Sequence, residues 1–224
     1  KKTDTKKFLE NFIKQFNYKL PSNLPRMSMM IAGYLGYDII RYYEKIPNKN
    51  PDDLNIPDVK LIRPTFIYIH DNQTNKIFYI KLNFRKKTNY QNEIIALTNQ
   101  VKKDQIEKGE INKEKIKSFI QSKIKSNFTK KQFLNLVTKA KKYISIGDIF
   151  QVVISQRFEK KLTKKPLEIY KTIRKTNPSP FLYFFNFNDF QIIGSSPEIL
   201  VRVRDNKITI RPIAGTRKRG KNKK

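Results

Sequence analysis

Gly147-Asp148-Ile149-Phe150-Gln151-Val152-Val153-Ile154-Ser155-Gln156-Arg157 is the stretch from which the fold is read. Phe150, Val152 and Ile154 fall on one face of an extended chain and Gln151, Val153 and Ser155 on the other, so the alternation predicts a strand over 149–158. Downstream, Pro166 stands at the first turn of a helix using Leu167, Ile169, Tyr170 and Ile173. Phe181 to Phe187, Phe190 to Gly194, Ile199 to Arg204 and Lys207 to Ile213 then read as an antiparallel meander. Asn188-Asp189 and Asp205-Asn206 connect its strands, the second as a two-residue turn. Upstream, Thr129 with Gln132 has capping-box form. Phe133, Leu136, Val137, Ala140 and Tyr143 continue a helical face that Gly147 stops.

Towards the N-terminus, Phe8, Leu9, Phe12, Ile13 and Phe16 predict an amphipathic helix over 4–17. Pro21 and Pro25 break it. The apolar run Met27 to Tyr37 reads as a buried strand entering a helix, with Gly33 and Gly36 allowing close backbone approach. Its Gly-Tyr-Leu-Gly-Tyr-Asp wording matches no nucleotide fingerprint. Asn48 to Pro57 is a surface loop, and Thr65 to His70 with Lys76 to Asn83 form a hairpin around Asp71 to Asn75. The single histidine, His70, stands beside that turn and reads as a surface residue. Asn92 to Ser126, interrupted by Gly109, reads as two helical pieces or a mobile connection between domains. Runs of strands with helices alongside give an α+β class with a large antiparallel sheet.

Composition bounds the function. The chain has 224 residues, no cysteine and a net charge of +29. Disulfides and thiolate metal sites are therefore excluded, which fits a reducing compartment. The Met27–Tyr37 run is far short of the roughly 20 residues that span a bilayer. The charge taken alone suggests a nucleic-acid partner. Yet Lys outnumbers Arg more than three to one and is spread over every predicted helix, whereas phosphate recognition concentrates charge and favours Arg. Phe181, Tyr183, Phe185 and Phe187 alternate as a strand rather than interleaving with a basic patch. No specific nucleic-acid partner and no membrane partner is expected, although nonspecific retention on DNA needs no dedicated site.

Four motifs occur in order: Gly147 to Arg157, Asn177-Pro178-Ser179-Pro180, Gly194-Ser195-Ser196-Pro197-Glu198, and Arg211-Pro212-Ile213-Ala214-Gly215-Thr216-Arg217-Lys218-Arg219-Gly220. In order and wording the chain resembles the chorismate-utilising enzymes, and among them the large subunit of anthranilate synthase, from about Pro25 to the last residue. The resemblance implies an α+β fold of large antiparallel sheets in a sandwich flanked by helices, incomplete here. It implies that 1–125 is the C-terminal part of that family's N-terminal domain with a linker, and 126–224 the first part of its chorismate-binding domain. Implied too are cytoplasmic location, chorismate as substrate, and ammonia from a glutamine amidotransferase subunit. The products would be anthranilate and pyruvate, within tryptophan biosynthesis.

The same resemblance assigns residues. Glu198 is similar to the family's general acid near the carbon-4 hydroxyl, and a carboxyl doing that must be protonated. Gly215 and Thr216 match its substrate-binding pair, where a glycine lets a backbone N–H approach an anionic oxygen and the hydroxyl adds a donor. Arg211, Arg217 and Arg219 surround them as a basic mouth. Gln151 stands where isochorismate and salicylate synthases carry a lysine that activates water. Ala214 stands where aminodeoxychorismate synthases carry a nucleophilic lysine. A neutral amide is no base near neutral pH and alanine is no nucleophile, which favours external ammonia and anthranilate. The alternatives are aminodeoxychorismate synthase or, in another class, a basic nucleic-acid-binding module.

Pro180, Phe181 and Leu182 match contacting positions of a tryptophan feedback site, with Phe181-Leu182 replacing the common Tyr-Met, and the family's Leu-Leu-Glu-Ser segment is absent. The family's magnesium-binding glutamates and catalytic histidine would lie beyond Lys224. The expectation is a fragment without its own metal site that makes no anthranilate alone.

Overall fold

A computed structural model describes residues 4–15, 19–82, 95, 99 and 123–213. The chain forms two compact units, 1–109 and 110–224. The helical reading of Asn92 to Ser126 falls almost wholly outside the described residues, as do Ala214, Gly215, Thr216, Arg217 and Arg219.

In the first unit, helix α1 covers Thr5–Lys14. A 3₁₀ turn at Arg26–Met29 leads to strand β1, Ala32–Leu35, and a second 3₁₀ turn covers Tyr37–Tyr42. The expected helix after β1 is thus the tighter form, and it ends within two turns. β1 pairs antiparallel with β2, Val59–Ile62, and Gly33 stands opposite Leu61. The proline-containing segment between them is irregular, as read. β3, Phe66–Asp71, and β4, Lys76–Lys81, form the expected hairpin. Ile67 and Ile80, opposite each other in register, are its buried pair. On the other face Tyr68 and Tyr79 meet edge to face, 5.1 Å apart. Asp71 closes the turn by accepting from the Gln73 amide (2.9 Å) and the Thr74 hydroxyl (2.7 Å). His70 is exposed at the end of β3, which agrees with its reading as a surface residue.

In the second unit, β5, Lys125–Ser126, precedes helix α2, Lys130–Ser145. Both halves of the capping box form: Gln132 N donates to Thr129 Oγ1 (3.3 Å) and Thr129 N to Gln132 Oε1 (2.8 Å). At the other end Asp148 N donates to Tyr143 O and Gly147 N to Ile144 O. That is a Schellman closure with Gly147 in the left-handed region at φ +85°.

The run predicted as a strand over 149–158 departs from expectation. Only Phe158–Glu159 is a strand, β6, paired with β5, while 151–157 has no regular structure and Phe150 is fully exposed. A strand with apolar residues on both faces needs ladder partners along its length. Among the described residues this one finds a partner only in the two residues of β5.

Helix α3, Pro166–Thr176, starts at proline as expected, and β7, Phe181–Asn186, pairs antiparallel with β8, Gln191–Ser196. Tyr170 meets Phe184 edge to face at 5.9 Å, which seats α3 on this hairpin. Leu167, read as part of that helical face, is instead exposed. The alternate residues Tyr183, Phe185 and Phe187 stack along the hairpin at 5.7–5.8 Å, and Phe187 is buried. β9, Arg202–Arg204, and β10, Lys207–Thr209, close through Asp205 and Asn206, both at positive φ, the two-residue turn read from the sequence.

The expected continuous meander is not formed. β7–β8 and β9–β10 are separate two-stranded sheets, and every sheet among the described residues has two strands. The α+β class with antiparallel pairing holds, and among the described residues only small antiparallel sheets form in place of the expected large sandwich. Edge hydrogen bonds are available only where another strand reaches them, and Val201, Val203 and Ile208 remain exposed. No helix of the described residues is long and apolar enough to cross a membrane.

Candidate active site

Glu198 follows β8 by two residues, and its position is fixed from both sides. Upstream, the Glu198 amide donates to Ser196 Oγ (3.3 Å), and that oxygen lies 3.2 Å from the Glu198 carbonyl. This serine turn folds the backbone over Pro197 immediately after the ladder ends at Phe181 and Ser196. Downstream, Glu198 Oε1 accepts the backbone N–H of Ile213 at 2.7 Å, a charge-assisted bond when the carboxylate is ionised. The half-buried carboxyl group is therefore held beside the residue that leads into Ala214, Gly215 and Thr216.

Two motifs separated in sequence meet at β8. Ser195 Oγ lies 2.7 Å from the carbonyl of Asn177 and 2.8 Å from Ser179 Oγ. Each hydroxyl carries one proton. Since a carbonyl can only accept, Ser195 donates to Asn177 and Ser179 donates to Ser195. Asn177 is the C-terminal cap of α3, so the Ser195 hydroxyl satisfies a carbonyl that the helix leaves without a partner. Leu182 is paired with Ser195 and Phe181 with Ser196. Pro180, Phe181 and Leu182 thus adjoin the segment that delivers Glu198. Pro180 and Phe181 are exposed and Leu182 is half-buried.

Gly194 has its own reason in this geometry. A Cβ there would collide with the ring of Tyr183, its cross-strand partner.

Gln151 is brought to none of these groups by a hydrogen bond; it is exposed on the irregular segment before β6. Its expected place on a strand is lost with that strand. Arg211 is exposed near Ile213 in the chain. Among the described residues no group of three or more His, Cys, Asp or Glu gathers to hold a metal ion. A hard cation such as magnesium prefers several oxygen ligands.

Sequence reasoning quoted Ser179, Ser195 and Ser196 inside motifs and gave them no role. The signal was present for Ser196, since a serine two residues before a glutamate at a strand end is a turn former. None existed for the Ser195–Asn177 contact, which spans 18 residues.

The whole chain, residues 1–224, matches the family described as chorismate binding enzyme. It is 38% identical over 223 residues to anthranilate synthase component 1 of Cereibacter sphaeroides, covering 95% of this chain and 43% of that protein. Against anthranilate synthase component 1 of Aquifex aeolicus it is 39% identical over 224 residues, covering 95% and 44%. Its fold is similar to the crystal structure of anthranilate synthase component I from Streptococcus pneumoniae TIGR4. That likeness has a TM-score of 0.70 at 29% identity, covering 89% of this chain and 46% of that one. The chain spans less than half the length of the curated relatives it matches.

Proposed function

Because the chain belongs to the chorismate binding enzyme family, we propose that it is part of an anthranilate synthase component I. The complete enzyme converts chorismate and ammonia to anthranilate, pyruvate and water. Ammonia adds at ring carbon 2, the carbon-4 hydroxyl leaves as water, and pyruvate is then eliminated as the ring aromatises. Glu198 is the acid that delivers a proton to the departing hydroxyl. The observation that supports this most is the Glu198–Ile213 hydrogen bond, because it ties the carboxyl group to the chain two residues before Gly215. A carboxyl group held in a fixed place suits acid catalysis on a ring dicarboxylate.

Gly215 and Thr216 are the proposed substrate-binding pair, and Ala214 the position that leaves the enzyme without its own nucleophile. Gln151 is a candidate for orienting ammonia or the ring by hydrogen bonding. Magnesium is the proposed cofactor, held by residues beyond Lys224. A glutamine amidotransferase subunit is the proposed ammonia source, tryptophan the proposed inhibitor at Pro180 to Leu182, and the cytoplasm the proposed location.

The test is product analysis of the full-length protein with chorismate, magnesium and ammonium. Anthranilate and pyruvate are expected, with no turnover by residues 1–224 alone. Aminodeoxychorismate as the product, or turnover by the 224 residues, would overturn the corresponding part.

A further inference from the structure

We infer that Ser195 is a positioning residue for Glu198, acting as a latch between the C-terminus of α3 and the segment that carries the carboxyl group. This rests on reading Glu198 as the acid.

β8 ends at Ser196, and the reactive group hangs on two residues of turn beyond it. Among the described residues, strand pairing anchors β8 on one side only, through β7. Ser195 supplies a second anchor. Its hydroxyl donates to Asn177 O at 2.7 Å and accepts from Ser179 Oγ at 2.8 Å. Ser179 Oγ also lies 3.5 Å from Phe181 O, but its one proton is given to Ser195 at the shorter distance. Helix α3 is itself seated on the hairpin through Tyr170 and Phe184. The latch therefore joins a packed helix end to the last ladder pairs, one residue before the turn closed by Ser196. Without the hydroxyl, the Asn177 carbonyl loses its partner and the end of β8 is free to shift against α3. Glu198 is carried with it, relative to Ile213. A shift of a fraction of an ångström suffices to impair proton delivery while leaving substrate binding elsewhere intact.

The experiment uses the full-length protein with Ser195→Ala, Ser195→Thr and Ser179→Ala. For Ser195→Ala, kcat is expected to fall about tenfold with KM for chorismate unchanged. Ser195→Thr, which keeps the hydroxyl, restores most of kcat, and Ser179→Ala loses less because the bond to Asn177 survives. Amide exchange over 205–213 is faster in Ser195→Ala, as the Ile213 N–H loses its fixed acceptor. An unchanged kcat, a parallel loss of kcat and chorismate affinity, or no recovery with threonine overturns the inference. Failure of the wild-type protein to make anthranilate overturns the functional reading instead, and the exchange result then decides the latch: unchanged exchange at Ile213 in Ser195→Ala overturns it.

Discussion

Glu198 Oε1 and the backbone N–H of Ile213 lie 2.7 Å apart across 15 residues of chain that include a complete hairpin. The bond needs only an oxygen acceptor, so the side chain can lose its acidity and keep its place. Glu198→Gln in the full-length enzyme should therefore retain the fold and lower kcat roughly a hundredfold or more. Steady-state anthranilate fluorescence with a melting curve on the same sample checks both halves. Near-normal turnover would remove Glu198 from the chemistry.

The two ends of α2 provide a stability test independent of catalysis. Thr129→Ala removes one half of the capping box and should cost about 1 kcal/mol. At Gly147 an added Cβ meets nothing within 4 Å, so Gly147→Ala pays only for its φ of +85°. That too is about 1 kcal/mol. Urea denaturation of each variant measures the loss, and the two should add, because they act at opposite ends of one helix.

Gly33 and Gly194 are both crowded, by different neighbours. A Cβ at Gly33 collides with the backbone carbonyl of Lys60, at a φ of +153° that side chains rarely adopt. One at Gly194 collides with the Tyr183 ring, which can swing outwards. Gly33→Ala should cost about 1–3 kcal/mol from backbone strain alone and open the β1–β2 pair. Gly194→Ala should cost less and displace Tyr183. Thermal melting ranks them, and a larger loss at Gly194 would contradict this account.

Asp71 gives a pH signature to the β3–β4 turn. The Thr74 hydroxyl, and after it the Gln73 amide, hold its carboxyl below the usual carboxylate range. The folded form therefore binds this proton less readily than the unfolded chain. The turn's contribution is present above the ordinary aspartate value of about 3.9 and fades as pH falls through the lower folded value. A carboxyl NMR titration should show the depressed midpoint in the wild type and a partial rise towards the ordinary value in Thr74→Ala, because the Gln73 amide still donates.

The primary structure by itself determined what depends on neighbours a few residues away. Thr129 with Gln132, Gly147, Pro166, the Asp205-Asn206 turn and the hairpin around Asp71 all take the expected form. Each is decided by a cap, a φ preference or a turn closure within about five residues. Four motifs in fixed order also carried the family. Tertiary structure alone decided which extended segments find partners. The alternating run from Ile149 has the pattern of a strand and lacks its ladder, and the four-stranded meander resolves into two hairpins. Only the folded chain brings Ser195 to Asn177 and Glu198 to Ile213. Alternation tells which face of a strand is apolar, whereas pairing depends on backbone groups that every residue shares, so the letters do not name the partner.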